Sequence, residues 1–180
     1  MFLARPQPPQ ISPCDFFEIV TASVRANAPS ARHSGVQLVN ELQPGLRVNG
    51  DARRLSQAVG NVIINAIHAM AARGGTLTIR SRVRESAGTT HPGNSPDDSF
   101  CEISFTDTGP GFSAAALARR AELFFSEKEG GMGIGLSVTS EIIRAHGGEL
   151  RVANSPEGAV VTFILPLATD AKSAISDQQS

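Results

Sequence analysis

The residues able to do chemistry in this chain collect in two places. One is the run Asp107 to Leu136, DTGPGFSAAALARRAELFFSEKEGGMGIGL, which begins with an acid and closes with Gly131, Gly133 and Gly135 at every second position ahead of a helical pattern. Glycines let a backbone approach phosphate oxygens closely, and the amides of a helix N-terminus supply donors and a partial positive charge for an anion. The run therefore suits a nucleotide. The other place is a helix predicted over residues 51–73, on which Arg54, Asn61, Asn65 and His68 form a narrow stripe with Asn61 and Asn65 one turn apart. On its own such a stripe reads as a solvated face opposite the apolar one. Two common phosphate motifs are absent. There is no GxxxxGK[ST], and Gly131-x-Gly133-x-Gly135 neither follows a strand nor completes GxGxxG.

The elements that must hold these residues follow from periodicity. In the long helix Asp51 is placed to cap the start, Gly74-Gly75 to end it, and Leu55, Val59, Val62, Ile63, Ala66, Ile67 and Met70 keep the helical period. An earlier helix is predicted from an Asp15 cap through Phe16, Ile19, Val20 and Val24 to about Asn27, with Pro29 as its stop. Strands are expected at 36–42, 76–83, 100–107, 150–153 and 159–165, with a loose loop between the second and third. Parity within 100–107 is informative, because Cys101, Ile103, Phe105 and Asp107 share one side. A carboxylate emerging on an apolar face needs a donor, and the exocyclic amine of a base would be one. A short helical piece at 113–121 precedes Phe124-Phe125, which reads as the anchor of a flap, and a last helix at 134–145 stops at Gly147-Gly148. His146 in that last turn is expected to meet free carbonyls and the helix dipole. The sum is an α+β two-layer sandwich, a mixed sheet of about five strands with three helices on one face. Residues 1–14 read as a linker from an upstream domain, 15–166 as one folded domain and 167–180 as a disordered polar tail.

Composition bounds the function. A chain of 180 residues with 41% hydrophobic residues can bury one good core. Sixteen Lys and Arg against seventeen Asp and Glu leave no global field for nucleic acid or an anionic membrane. No apolar run approaches the roughly 18 residues of a membrane span, and Cys14 and Cys101 have no partner at metal-ligand spacing.

Taken in order, LSQAVGNVIINAIHAM, DTGPGF, LFFSEKEGG and GMGIGL resemble the N, G1, F and G2 boxes of the catalytic ATP-binding domain of sensor histidine kinases, with AHGGEL following. That family lies in the superfamily of DNA gyrase, Hsp90 and the MutL ATPases. The resemblance covers residues 15–166, and FFSEKEGGMGIGL is most similar to the nitrogen-regulation branch. It implies the Bergerat ATP-binding fold, ATP and Mg²⁺ as cofactors, and a role for each matched position. Asn65 would hold the metal and Asn61 would support phosphates or metal waters. Asp107 would accept the adenine amino group, with Gly109, Gly111 and Phe112 beside the base. Lys128 and the stretch Gly131, Met132, Gly133, Ile134, Gly135 and Leu136 would meet the phosphates under a lid set by Phe124 and Phe125. Thr162 belongs to the nucleotide set, and Asn61, His68 and Lys128 form the catalytic set.

Asn61 stands where hydrolysing relatives carry a glutamate, so the resemblance implies phosphoryl transfer rather than hydrolysis. None of His33, His68, His91 or His146 has the setting of a phosphoacceptor. The chain is therefore expected to bind ATP as a cytoplasmic monomer without labelling itself. The acceptor histidine would lie on a dimerisation domain of the same kinase, and a response regulator would be met through the intact protein. The alternatives are an ATPase of the same superfamily and a non-catalytic nucleotide-binding module.

Overall fold

The computed structural model describes residues 9–84, 99–118 and 133–168. Strand β1 (Ser12–Asp15) runs straight into helix α1 (Phe16–His33), where the Asp15 carboxylate accepts the Glu18 amide at 3.2 Å, the predicted cap. The helix does not stop at Pro29. Proline removes one donor, but Pro29 and Arg25, whose carbonyl loses its partner, are both exposed, so water can replace that bond. The helix continues past a buried Ala31 and ends where Gly35 takes φ 65°.

Strands β2 (Val36–Asn40) and β3 (Arg47–Gly50) follow, and β3 pairs antiparallel with β1 from Ser12↔Gly50 to Asp15↔Arg47. Neither β1 nor β3 is expected from the sequence, since four residues carry too little alternation and their pairing spans more than thirty positions. The first strand lies partly inside the stretch expected to be linker. Helix α2 (Ala52–Met70) is capped by Asp51, which accepts the amides of Arg53 and Arg54 at 3.1 and 3.2 Å, and it closes with the Gly74 amide on the Met70 carbonyl at 2.8 Å. All the apolar positions predicted for its face are buried.

Then come β4 (Gly75–Arg84), β5 (Phe100–Asp107), the short helix α3 (Ala114–Ala118), α4 (Gly133–Ala145), β6 (Glu149–Asn154) and β7 (Ala159–Pro166). The main sheet has the order β2-β4-β5-β7-β6, with β2 parallel to β4 and every other pair antiparallel. This is the expected α+β sandwich with a mixed five-stranded sheet. Leu77, Ile79, Ile103, Phe105, Val161 and Phe163 point to the buried face under α1, α2 and α4, and the rings of Phe105 and Phe163 meet with centroids 4.9 Å apart. The fold also extends past Pro166, contrary to a tail starting at 167. Leu167 and Ala168 are buried, their amides donating to Ser99 and Arg47 carbonyls at 3.0 and 3.1 Å. No helix among the described residues is long and apolar enough to cross a membrane.

Helices α2 and α4 lie antiparallel, because the cap of α2 meets the end of α4. The Asp51 amide donates to His146 Nε2 at 2.9 Å, and His146 Nδ1 lies 2.6 Å from the Ile142 carbonyl. Those partners require the neutral tautomer with its proton on Nδ1. The carbonyl contact matches the sequence reading of His146, while the tie to Asp51 is new.

The Arg54 amide, followed by that of Gln10, holds the Asp51 carboxyl below the usual carboxylate range. A lowered folded pKa adds stability that is fully present above the unfolded value of about 3.9 and is lost as pH falls through the folded value. In thermal melts at pH 7, Asp51→Ala is expected to lower Tm, and Asp51→Asn, which keeps a cap acceptor, to lower it less. The gap between wild type and Asp51→Asn should close as the pH is taken below about 4; a gap unchanged at pH 3 would refute the assignment.

Candidate functional site

A cavity of about 290 Å³ is walled by Val62, Ala66 and Ala69 of α2, Leu77, Phe105 and Val161 of the sheet, and Leu136 of α4. Its walls are mostly apolar, with few polar groups: Asp107 at the end of β5, Asn65 on α2 and Ser113 ahead of α3. Such a slot suits a flat heterocycle carrying polar substituents.

Asp107 sits opposite Leu77 in the β4–β5 register and is 7% exposed, as its parity predicts. Its Oδ1 accepts two backbone amides, from Gly109 at 2.9 Å and Ala159 at 3.1 Å. Its Oδ2 takes no hydrogen bond among the described residues and remains as an acceptor at the cavity. The pair of hydrogen bonds to Oδ1 depends on two missing side chains. A Cβ on Gly158 would stand 2.3 Å from the Asp107 carbonyl oxygen and 2.8 Å from Oδ1, and one on Gly109 would stand 3.0 Å from Oδ1. The loop is fixed further by Thr108, whose hydroxyl accepts the Thr76 amide at 3.0 Å and lies 3.6 Å from the Met70 sulfur. Gly111, at φ 75°, turns the chain so that Phe112 lines the cavity, and both backbone groups of Phe112 bond the Asn154 amide at 2.8 Å.

The asparagine stripe is not a solvated face. Helix α4 packs over it, and a Cβ on Gly135 would stand 3.1 Å from Asn65 Nδ2. That amide nitrogen is buried without a hydrogen-bond partner among the described residues, while Asn65 lines the cavity. Asn61 turns towards α4, its Nδ2 at 3.4 Å from the Gly135 carbonyl and 3.5 Å from Thr139 Oγ1, and the Thr139 hydroxyl donates to the same carbonyl at 2.7 Å. His68 is exposed one turn beyond Asn65, outside the cavity lining.

The fold thus brings Asn65, Asp107, Gly111, Phe112 and Leu136 to one cavity, with Gly109 and Gly135 packed against its polar residues. Helix α4 begins at Gly133, one residue before its expected start, so Gly133 joins Ile134 and Gly135 in the first turn. Thr162 is misplaced by the sequence reading. It pairs with Ser104 and Arg151 on the outer face of the sheet, whereas its neighbours Val161 and Phe163 face the helices, so parity keeps it from the cavity. Phe124, Phe125, Lys128, Gly131 and Met132 lie outside the described residues. The sequence reading missed Thr108, Asn154 and the close packing of Gly158. Their contacts join β5 to β4 and to the β6–β7 hairpin, and no local pattern records that. Among the described residues no three His, Cys, Asp or Glu cluster as metal ligands.

Known proteins resemble this chain in sequence and in fold. Residues 50–169 match the model of the histidine kinase-, DNA gyrase B-, and HSP90-like ATPase family. The sensor histidine kinase ZraS of Klebsiella oxytoca is 32% identical over 92% of this chain, which spans 33% of that kinase. The sensor protein FixL of Bradyrhizobium diazoefficiens is 36% identical over 78% of this chain, which spans 26% of it. Among solved structures, a mycobacterial sensor histidine kinase, MprB, superposes with a TM-score of 0.65 at 28% identity over 87% of this chain and 97% of that one. Full-length ShkA in complex with AMPPNP gives 0.65 at 26% identity, covering 92% of this chain and 33% of that one.

Gly158→Ala is expected to push a methyl group into the Asp107 backbone and carboxylate. Overpacking of this kind costs about 1–3 kcal/mol, which for a domain of this size lowers Tm by roughly 3–9 °C. A melt unchanged by the substitution would show that the hairpin does not press on Asp107.

Proposed function

Because the chain belongs to the histidine kinase-, DNA gyrase B-, and HSP90-like ATPase family, we propose that it serves as the ATP-binding catalytic domain of a two-component sensor histidine kinase. It would present the γ-phosphoryl of Mg·ATP to a histidine on a separate dimerisation domain, from which the intact kinase passes it to a response regulator. The observation that carries this reading is the apolar slot bounded by the spare oxygen of Asp107 and the unpartnered amide of Asn65.

Each group then has a task. Asp107 Oδ2 accepts the adenine amino group, while guanine would present a carbonyl oxygen there and be repelled. The side-chain N and O of Asn65 are interchangeable on rotation of its amide. A buried amide end with no partner therefore fits an oxygen donor for Mg²⁺, a hard ion that keeps several waters and shares phosphate oxygens instead of needing a protein cage. The ion, when bound, supplies charge neutralisation at the phosphates. The amides of Gly133, Ile134 and Gly135 at the start of α4 add the positive end of a helix dipole. His68, one turn beyond Asn65, and Lys128 are assigned to the phosphate end, and the lid to Phe124 and Phe125. Asp107 is the one acid lining the cavity among the described residues, and it lies at the base end. Asn61 stands where hydrolysing relatives carry a glutamate, and this favours transfer to a positioned histidine, achieved by orientation and electrostatics.

Titration calorimetry tests this. Wild type is expected to bind Mg·ATP at least about tenfold more tightly than Mg·GTP, the difference of about 1.4 kcal/mol that one lost hydrogen bond supplies. Asp107→Asn should narrow that ratio. Asn65→Ala should weaken Mg·ATP binding by a similar factor without lowering the Tm of the free protein, since it removes a buried donor that has no partner. Equal affinity for ATP and GTP in the wild type would overturn the base assignment, and steady phosphate release would overturn the role given to Asn61.

A further inference from the structure

Resting on the nucleotide reading above, we propose that Asn154 is a positioning residue for the base, which it never touches: it sets the wall of the slot by holding Phe112 from the edge strand of the sheet. Asn154 is the last residue of β6, the edge of the main sheet, and it pairs in register with Ala159. Its Oδ1 accepts the Phe112 amide and its Nδ2 donates to the Phe112 carbonyl, both at 2.8 Å. One side-chain amide thus satisfies both backbone groups of one residue, as an antiparallel strand would. The same side chain fills the space in front of Gly111, where a Cβ would lie 3.0 Å from Asn154 Oδ1.

The consequence for the slot follows from what is attached. Gly111, Phe112 and Ser113 line the cavity, and Phe112 also packs on the core. The loop between Asp107 and α3 is therefore pinned to the β6–β7 hairpin twice. Ala159 holds it through Asp107 at its start, and Asn154 holds it through Phe112 at its end. Asn154 is exposed, so it contributes little to the core, and its chemistry is specific to its place. An aspartate would still accept the Phe112 amide but would set a carboxylate oxygen against the Phe112 carbonyl. An alanine would make neither bond.

The test uses this chain, Mg·AMPPNP as the probe and calorimetry at pH 7.5 and pH 4. Wild type is expected to bind. Asn154→Ala should bind about five- to tenfold more weakly, as losing one or two exposed hydrogen bonds implies. Asn154→Asp should bind at least as weakly at pH 7.5 and recover in part at pH 4, close to the ordinary aspartate value of about 3.9, where the protonated fraction regains an O–H donor for the Phe112 carbonyl. Wild type titrated at both pH values corrects for protonation of the nucleotide. If Asn154→Ala also melts lower, the pH-dependent recovery of Asn154→Asp still separates positioning from a loss of fold. Wild-type binding with both variants unaffected overturns this proposal and leaves the nucleotide reading standing. A wild type that does not bind overturns the nucleotide reading, and this proposal with it.

Discussion

The constraint on which the site depends is a carboxylate placed on the dry side of a sheet. Asp107 continues the inward series of β5, and a buried charge without partners would cost several kcal/mol. Two backbone amides answer that cost at a single oxygen, one from the loop that follows and one from the start of β7. They reach it only because the chain is bare at Gly109 and Gly158. The strand register, the hairpin and the glycine positions are therefore parts of one solution. Its by-product is an oriented acceptor with one oxygen committed to the protein and the other available to a ligand. The selectivity of such an acceptor comes from the penalty for facing it with another acceptor, more than from the bond it makes to a donor.

Helix α2 gives the slot its asymmetry. Its buried face supplies Val62, Ala66 and Ala69 as wall, and its flank under α4 supplies Asn65. Small residues at 66 and 69 let a flat ring lie close to the helix, while a longer side chain at either would fill the slot. The apolar and polar parts of the site thus come from neighbouring faces of one rigid element. A loop could not hold that arrangement as firmly.

Much of this was legible before the structure. The period of α2, both aspartate caps, the inward parity of Asp107 and the mixed five-stranded sheet all follow from local pattern, where side-chain direction is fixed by the 3.6- or 2-residue repeat. What was not legible has one physical character, contact between segments distant in sequence. The pairing of β1 with β3, the anchoring of Leu167 and Ala168, the tie from Asn154 to Phe112 and the pressing of Gly158 on Asp107 all join residues more than thirty positions apart. One error came from trusting a local rule too far: Pro29 does not end α1, because its lost bond faces water. The helical period that aligns the asparagines could not by itself show that α4 lies on them. Thr162 failed differently, since the parity that placed Asp107 inside also places Thr162 outside.

The packing of α4 on α2 decides how the end of the cavity near Asn65 can behave. The helices are antiparallel and bonded near both ends of α4. At its start the Gly135 carbonyl takes the Thr139 hydroxyl and the longer contact from Asn61. At its finish neutral His146 accepts the Asp51 amide while donating to Ile142. A cap amide buried against an imidazole acceptor has no easy replacement, and Gly50 is bare where a Cβ would stand 2.9 Å from that ring. Rotating or sliding α4 would therefore break a bond at each end. The positive end of its dipole is fixed relative to Asn65, and under the proposed function its donors would already be aimed where charge sits and need no reorganisation when it arrives.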